Sequence, residues 1–151
     1  MVESAWDRRR WRPLLGSIEI RKALRTQTRN MHELSIAMSI IELALEQSDR
    51  RGGAQVSAVH LKLGALSGVV KEALLGSFEM ACEDTPLKGA RLVVEDVPVL
   101  IFCRSCQANR PVRSVQLFCC TECGTPSAQV VQGKELEVVA LEIEEWDHSL
   151  A

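Results

Sequence analysis

The 151-residue chain contains no tyrosine, three tryptophans and three phenylalanines, an aromatic share of only 4%. So few rings leave little on which nucleic-acid bases could stack. No apolar run approaches the roughly 18 residues that a membrane-spanning helix needs, so no membrane partner is expected. The GxxxxGK[ST] loop that cradles nucleotide phosphates is missing, and nucleotide hydrolysis would have to come from another protein. No nucleophile–base pair stands out, so the chain is not expected to be an enzyme. The stretch RRRW at 8–11 is followed by neither an apolar h-region nor a small-residue cleavage site. It is therefore not a secretory signal, and a cytoplasmic location is expected.

Charge is unevenly placed. Residues 1–30 carry eight basic and three acidic side chains, so the formal total of −2 leaves −7 on the remaining 121 residues. The basic leader has three readings: a disordered arm, a functional extension, or upstream sequence included by the choice of start codon. The last is preferred, because helical patterning begins abruptly at Met31. No structure is expected in residues 1–30.

From Glu33 to Gln47 the apolar residues Leu34, Met38, Ile41 and Leu45 recur at steps of four, three and four, the pattern of an amphipathic helix. Asn30 and Glu33 fit a capping-box variant at its start. VSAVHLKLG, residues 56–64, alternates Val59, Leu61 and Leu63 with His60 and Lys62, predicting a strand with one buried face. A second helix is predicted from about Val70 to Glu83, with Leu74, Leu75, Phe78 and Cys82 on its apolar side. ARLVVEDVPVL is read as a strand with Pro98 near its end. Alternation resumes in KELEVVALEIEEW, with Val139, Leu141 and Ile143 opposed by Ala140, Glu142 and Glu144. These elements predict an α+β fold: a small three-stranded sheet with two helices, formed by residues 31–98 and 131–151. The cysteine-rich stretch 99–130 interrupts it as an inserted module.

Five of the six cysteines lie between 103 and 123. Cys103 and Cys106 form one CxxC pair, Cys120 and Cys123 another, with thirteen residues between them. Paired CxxC turns at this separation are a strong four-thiolate signature. Cys119 could in principle replace Cys120, but Cys120 completes the two-residue spacing, and Gly124 can follow that turn in a left-handed conformation. Cys119 is then a spare thiol, and Cys82 an ordinary buried cysteine. Two disulfides are the competing assignment, disfavoured by a reducing cytosol. Zinc leads over a rubredoxin-like iron, since the insert lacks aromatic shielding and needs only a clasp. Such an ion would contribute on the order of 10 kcal/mol to ordering a segment too small for its own core. With four positions filled, no metal-bound water remains to be activated.

Met31 to about Glu145 resembles the HypA/HybF family of nickel metallochaperones. The resemblance rests on MHELSIA (31–37), GALSGV (64–69), Phe78–Glu79, the paired cysteines followed by Gly124, and GKELEV (133–138). Thr121 departs from the proline usual between the second pair of cysteines, and the thirty-residue leader is a second departure. The resemblance implies a carrier of Ni(II) for [NiFe]-hydrogenase maturation, and in some organisms urease, with a structural Zn(II). Its implied nickel site combines the α-amine of Met31, the backbone nitrogens of His32 and Glu33, and the His32 imidazole. An α-amine, with a pKa near 8, yields its proton to a metal far more readily than an amide does. Met31 is accordingly expected to be the biological first residue. The implied partners are a nickel-delivery GTPase and the hydrogenase large-subunit precursor, with a homodimer left open. His60 and His148 are expected in solvent, without a role. The alternative function is a zinc-ribbon nucleic-acid-binding or regulatory protein, drawing on Arg104, Arg110, Arg113 and the leader, against which stands the acidic body.

Overall fold

The computed structural model describes residues 33–144 in full and residues 11–19 as backbone; Met31, His32 and His148 lie outside the described residues. In chain order the elements are β1 Trp11–Glu19, α1 Glu33–Asp49, β2 Gln55–Gly64, α2 Lys71–Cys82 and β3 Arg91–Val97. They continue with β4 Leu100–Cys103, β5 Ala108–Ser114, β6 Leu117–Cys120, β7 Val130–Gln132 and β8 Leu136–Glu144. Two four-stranded sheets result, in the orders β1-β8-β2-β3 and β6-β5-β4-β7.

The first sheet carries both helices. β2 and β3 run parallel, as a strand–helix–strand crossover through α2 requires, and β8 returns antiparallel to β2. The expected three strands are joined by a fourth, β1, which pairs antiparallel with β8. The expectation of no structure in the leader therefore does not hold for residues 11–19. An open β8 edge would present a row of unpaired N–H and C=O groups, and β1 satisfies them. Pro13 is compatible with that edge position, since an edge strand can spare an N–H.

Beneath the helices lies the core, including Ile36, Ile40, Val59, Leu61, Leu74, Phe78, Val138 and Leu141. The buried side of α2 is the expected one, with Leu74, Phe78 and Cys82 inward. For α1 the expected face is half right: Ile41 is buried and Leu45 packs against the core, but Leu34 and Met38 do not. Leu34 and Met38 are 42% and 52% exposed, whereas Ile36, Ala37, Ile40, Ile41 and Ala44 are buried. Two apolar stripes share this helix. The one containing Ala37 and Ala44 faces inward, because short side chains let a helix approach its neighbours closely.

In β8 the inward set is Leu136, Val138, Leu141 and Ile143, so the alternation changes phase midway. The cause is an irregularity in the β2–β8 ladder: His60 opposes Ala140, while the next residue, Leu61, opposes Val138. Val139 is the extra residue of a bulge, and a bulge moves every later side chain to the other face. Val139 is accordingly half-buried and not part of the core.

His60 is not solvated as expected but only 7% exposed. Its Nε2 lies 3.3 Å from Glu142 Oε1, and Glu142 Oε2 accepts from Arg91 at 3.3 Å. Because β2 is a central strand, β8 and β3 flank its outer face and supply these partners. Burial lowers the pKa of His60, with Arg91 adding to that effect and Glu142 opposing it.

The two sheets meet at a close backbone crossing. A Cβ on Gly64 would lie 2.2 Å from the carbonyl oxygen of Gly133. At the same place Gly64 N donates to Glu135 O and Leu66 N to Gly133 O, both at 2.7 Å. Only glycine fits position 64, and Gly133, at φ +120°, needs its missing side chain too. GALSGV and GKELEV, distant in sequence, are thus the two sides of one joint.

Candidate metal centre

Two knuckles build the cysteine site. The first is the turn between β4 and β5, where Cys103 ends β4 and opposes Ala108 at the start of β5. Cys106 N points at Cys103 Sγ at 3.5 Å, and Gln107 turns the chain with φ +52°. The second follows β6: Glu122 N points at Cys120 Sγ at 3.4 Å, and Gly124 takes φ +74°. Gly124 thus adopts the expected left-handed turn. Gln107 plays the same part without being a glycine, and its equivalent place after the second cysteine of a pair was the available signal.

The four sulfurs converge. Cys103, Cys106, Cys120 and Cys123 have their Sγ atoms all within 4.8 Å of one another. Cys103 Sγ lies 3.5 Å from Cys123 Sγ, and Cys106 Sγ lies 3.9 Å from Cys120 Sγ. A tetrahedron of thiolates about 2.3 Å from a zinc ion has edges of about 3.8 Å, so the residues present fit such an ion. Cys119 is outside this group; it is half-buried, its backbone bridged to Pro126. Phe102 and Phe118 are half-buried on β4 and β6, so the insert is less bare of rings than the sequence reading held.

The local hydrogen bonds divide the thiols. Thr125 Oγ1, 3.1 Å from Cys123 Sγ, leads the interactions that bring the Cys123 pKa down to about 6. Cys120 is also lowered, chiefly by the Cys123 backbone N–H. Cys106 goes the opposite way, pushed up to about 12, first by hydrogen bonding to Cys123 and then by desolvation. Cys123 is thus prepared as a thiolate at neutral pH while Cys106 keeps its proton, and a cation among the four is what allows full deprotonation. Cys82 lies apart on α2, its thiol raised to about 11 by burial.

Helix α1 begins with Glu33. Its Oε1 accepts a hydrogen bond from Val70 N at 3.3 Å. Val70 is the N-cap of α2 and has no side-chain cap of its own. The Glu33 carboxylate therefore ties the start of α1 to the start of α2, through the same loop that meets Gly133. Of the nickel residues implied by the resemblance, Glu33 alone lies among the described residues.

An α+β body with a lobe of four converging cysteines defines a protein with a metal-binding module. The family model described as "Hydrogenase/urease nickel incorporation, metallochaperone, hypA" matches residues 31–143. The hydrogenase maturation factor HypA of Chloroflexus aurantiacus is 50% identical over 112 residues, covering 74% of this chain and 98% of that protein. HypA of Geobacter metallireducens is 45% identical over 114 residues, covering 76% and 100%. The solution structure of the Ni metallochaperone HypA from Helicobacter pylori aligns with a TM-score of 0.54 at 25% identity, covering 77% of this chain and all of that one. This chain belongs to the HypA family of hydrogenase maturation factors and nickel metallochaperones, which are not enzymes.

Proposed function

We propose that this protein carries Ni(II) as cargo to a [NiFe]-hydrogenase large-subunit precursor, with urease as a second possible destination. The nickel donors are the Met31 α-amine, the backbone nitrogens of His32 and Glu33, and the His32 imidazole. Nitrogen-rich donors suit nickel, and copper even more. Cys103, Cys106, Cys120 and Cys123 hold Zn(II), whose role is to crosslink the two knuckles of the lobe. The observation carrying this division is the mutual approach of the four sulfurs within 4.8 Å. A closed set of four thiolates has no open position for exchange, so a transferable ion needs a different site. Glu33, fastened to Val70 N, gives that second site a fixed base on the α1 start.

Delivery takes place in the cytoplasm with a separate GTPase, since this chain has no phosphate loop of its own. Neither nucleic acid nor membrane is a partner in this reading; among the described residues no helix is long and apolar enough to cross a bilayer. The test is Ni(II) titration of three chains: residues 1–151, a chain beginning at Met31, and that shorter chain with His32→Ala. Roughly one zinc per chain is expected in all three. Tight nickel binding is expected only in the chain beginning at Met31 with His32 intact. Equal nickel affinity in all three overturns the site.

A further inference from the structure

β3 is an edge strand: among the described residues it pairs with β2 alone. Val97 O faces inward, accepting from Ala65 N at 3.1 Å. Because the N–H and C=O of alternate strand residues point to opposite sides, Leu92, Val94 and Asp96 present theirs to the free side. Alongside the start of β3, under α2, runs a groove of about 400 Å³. Phe78, Cys82 and Leu92 form its apolar floor, Glu79 and Glu83 stand on its α2 side, and Arg91, paired with Glu142, stands at the strand. Glu79 on the α2 side and Glu95 on the strand have no ion-pair partner among the described residues.

Gly76 stands over this groove in the middle of α2. A mid-helix glycine is destabilising relative to alanine. Among the described residues, a Cβ at Gly76 would meet nothing within 4 Å. A large side chain at this position would close the groove beside the strand edge.

We propose that the groove receives an extended segment of a partner protein, with alternating apolar and Lys/Arg residues, added to β3 as a further strand. Backbone hydrogen bonds to Leu92, Val94 and Asp96 would hold it. Its apolar side chains would enter beneath Gly76 on the helix side, and its cations, on the opposite face, would meet Glu95, the mode known as strand addition. A second copy of this chain is a poorer occupant, because it would bring the same acidic rim against itself.

Fluorescence anisotropy of the full zinc-loaded chain tests this, using a labelled Lys-Val repeat heptapeptide against a Glu-Val repeat of equal length. The Lys-Val peptide is expected to bind and the Glu-Val peptide not to. Gly76→Ala keeps binding, whereas Gly76→Phe, whose ring fills the groove, weakens it at least about tenfold. Asp96→Pro removes one free-edge N–H, and binding falls about fivefold to tenfold below that of Asp96→Asn, which loses only the ion pair with Lys71. Similar binding of the two peptides, an unaffected Gly76→Phe variant, or no binding at about 1 mM peptide overturns the proposal. Self-association that disappears in Gly76→Phe would assign the groove to a second copy, and overturns it as well.

Discussion

Replacing Gly64 with alanine puts a carbon where the joint between the sheets has no room. The new Cβ would lie 2.2 Å from Gly133 O and 2.6 Å from Glu135 N, both backbone atoms that cannot rotate away. Real Cβ contacts do not fall below 3.0 Å, so β2 and the segment before β8 must separate by close to an ångström. Both 2.7 Å hydrogen bonds, Gly64 N to Glu135 O and Leu66 N to Gly133 O, stretch or break. Each is worth about 1 kcal/mol net, and more where the groups stay shielded from water, for a loss of about 2–5 kcal/mol. A body of this size has an unfolding entropy near 0.24 kcal/mol per degree, so about 3 kcal/mol lowers the thermal midpoint by about 12 °C. Circular dichroism of zinc-loaded wild type and Gly64→Ala measures it. A drop under about 2 °C would show that the crossing is not the rigid joint described here.

Three further outcomes follow from the packing. Ile40→Ala is expected to cost about 2–5 kcal/mol and Met38→Ala under about 0.5, measured by urea unfolding, because Ile40 is fully buried and Met38 half in water. The sequence pattern alone ranks them the other way. His60 is buried with a lowered pKa, so below the ordinary histidine value of about 6.5 the unfolded chain binds a proton that the folded chain resists. Stability should therefore fall between about pH 6.5 and 5, and His60→Gln should flatten that slope in denaturant midpoints taken across the range. Gly76→Ala should raise stability by up to about 1 kcal/mol, since its Cβ meets open space within a helix.

What the sequence disclosed divides along physical lines. The four cysteines were legible because a CxxC turn is local: four residues decide where both sulfurs point, and only the distance between pairs was left to the fold. The helix spans were legible too, α2 appearing at Lys71–Cys82 within a residue or so of the expected ends. The buried face of α1 was legible only at Ile41 and Leu45. Leu34–Met38 and Ile36–Ile40 are equally good helical repeats, and only the partners across the interface choose between them. In β8 a single bulge residue defeated simple alternation, because a bulge is a property of two strands and is invisible in either one. Burial of His60 has the same origin, as its partners Glu142 and Arg91 come from neighbouring strands. The Gly64–Gly133 contact explains two glycine motifs that the sequence showed but could not connect.

Separation of a closed sulfur site from a nitrogen-rich cargo site is the claim on which the rest depends, and X-ray absorption of the chain beginning at Met31, loaded with both metals, addresses it directly. The zinc edge should report four sulfur neighbours near about 2.3 Å, and the nickel edge only nitrogen and oxygen neighbours. Sulfur in the first shell of nickel, or zinc surrounded by nitrogen, would contradict it.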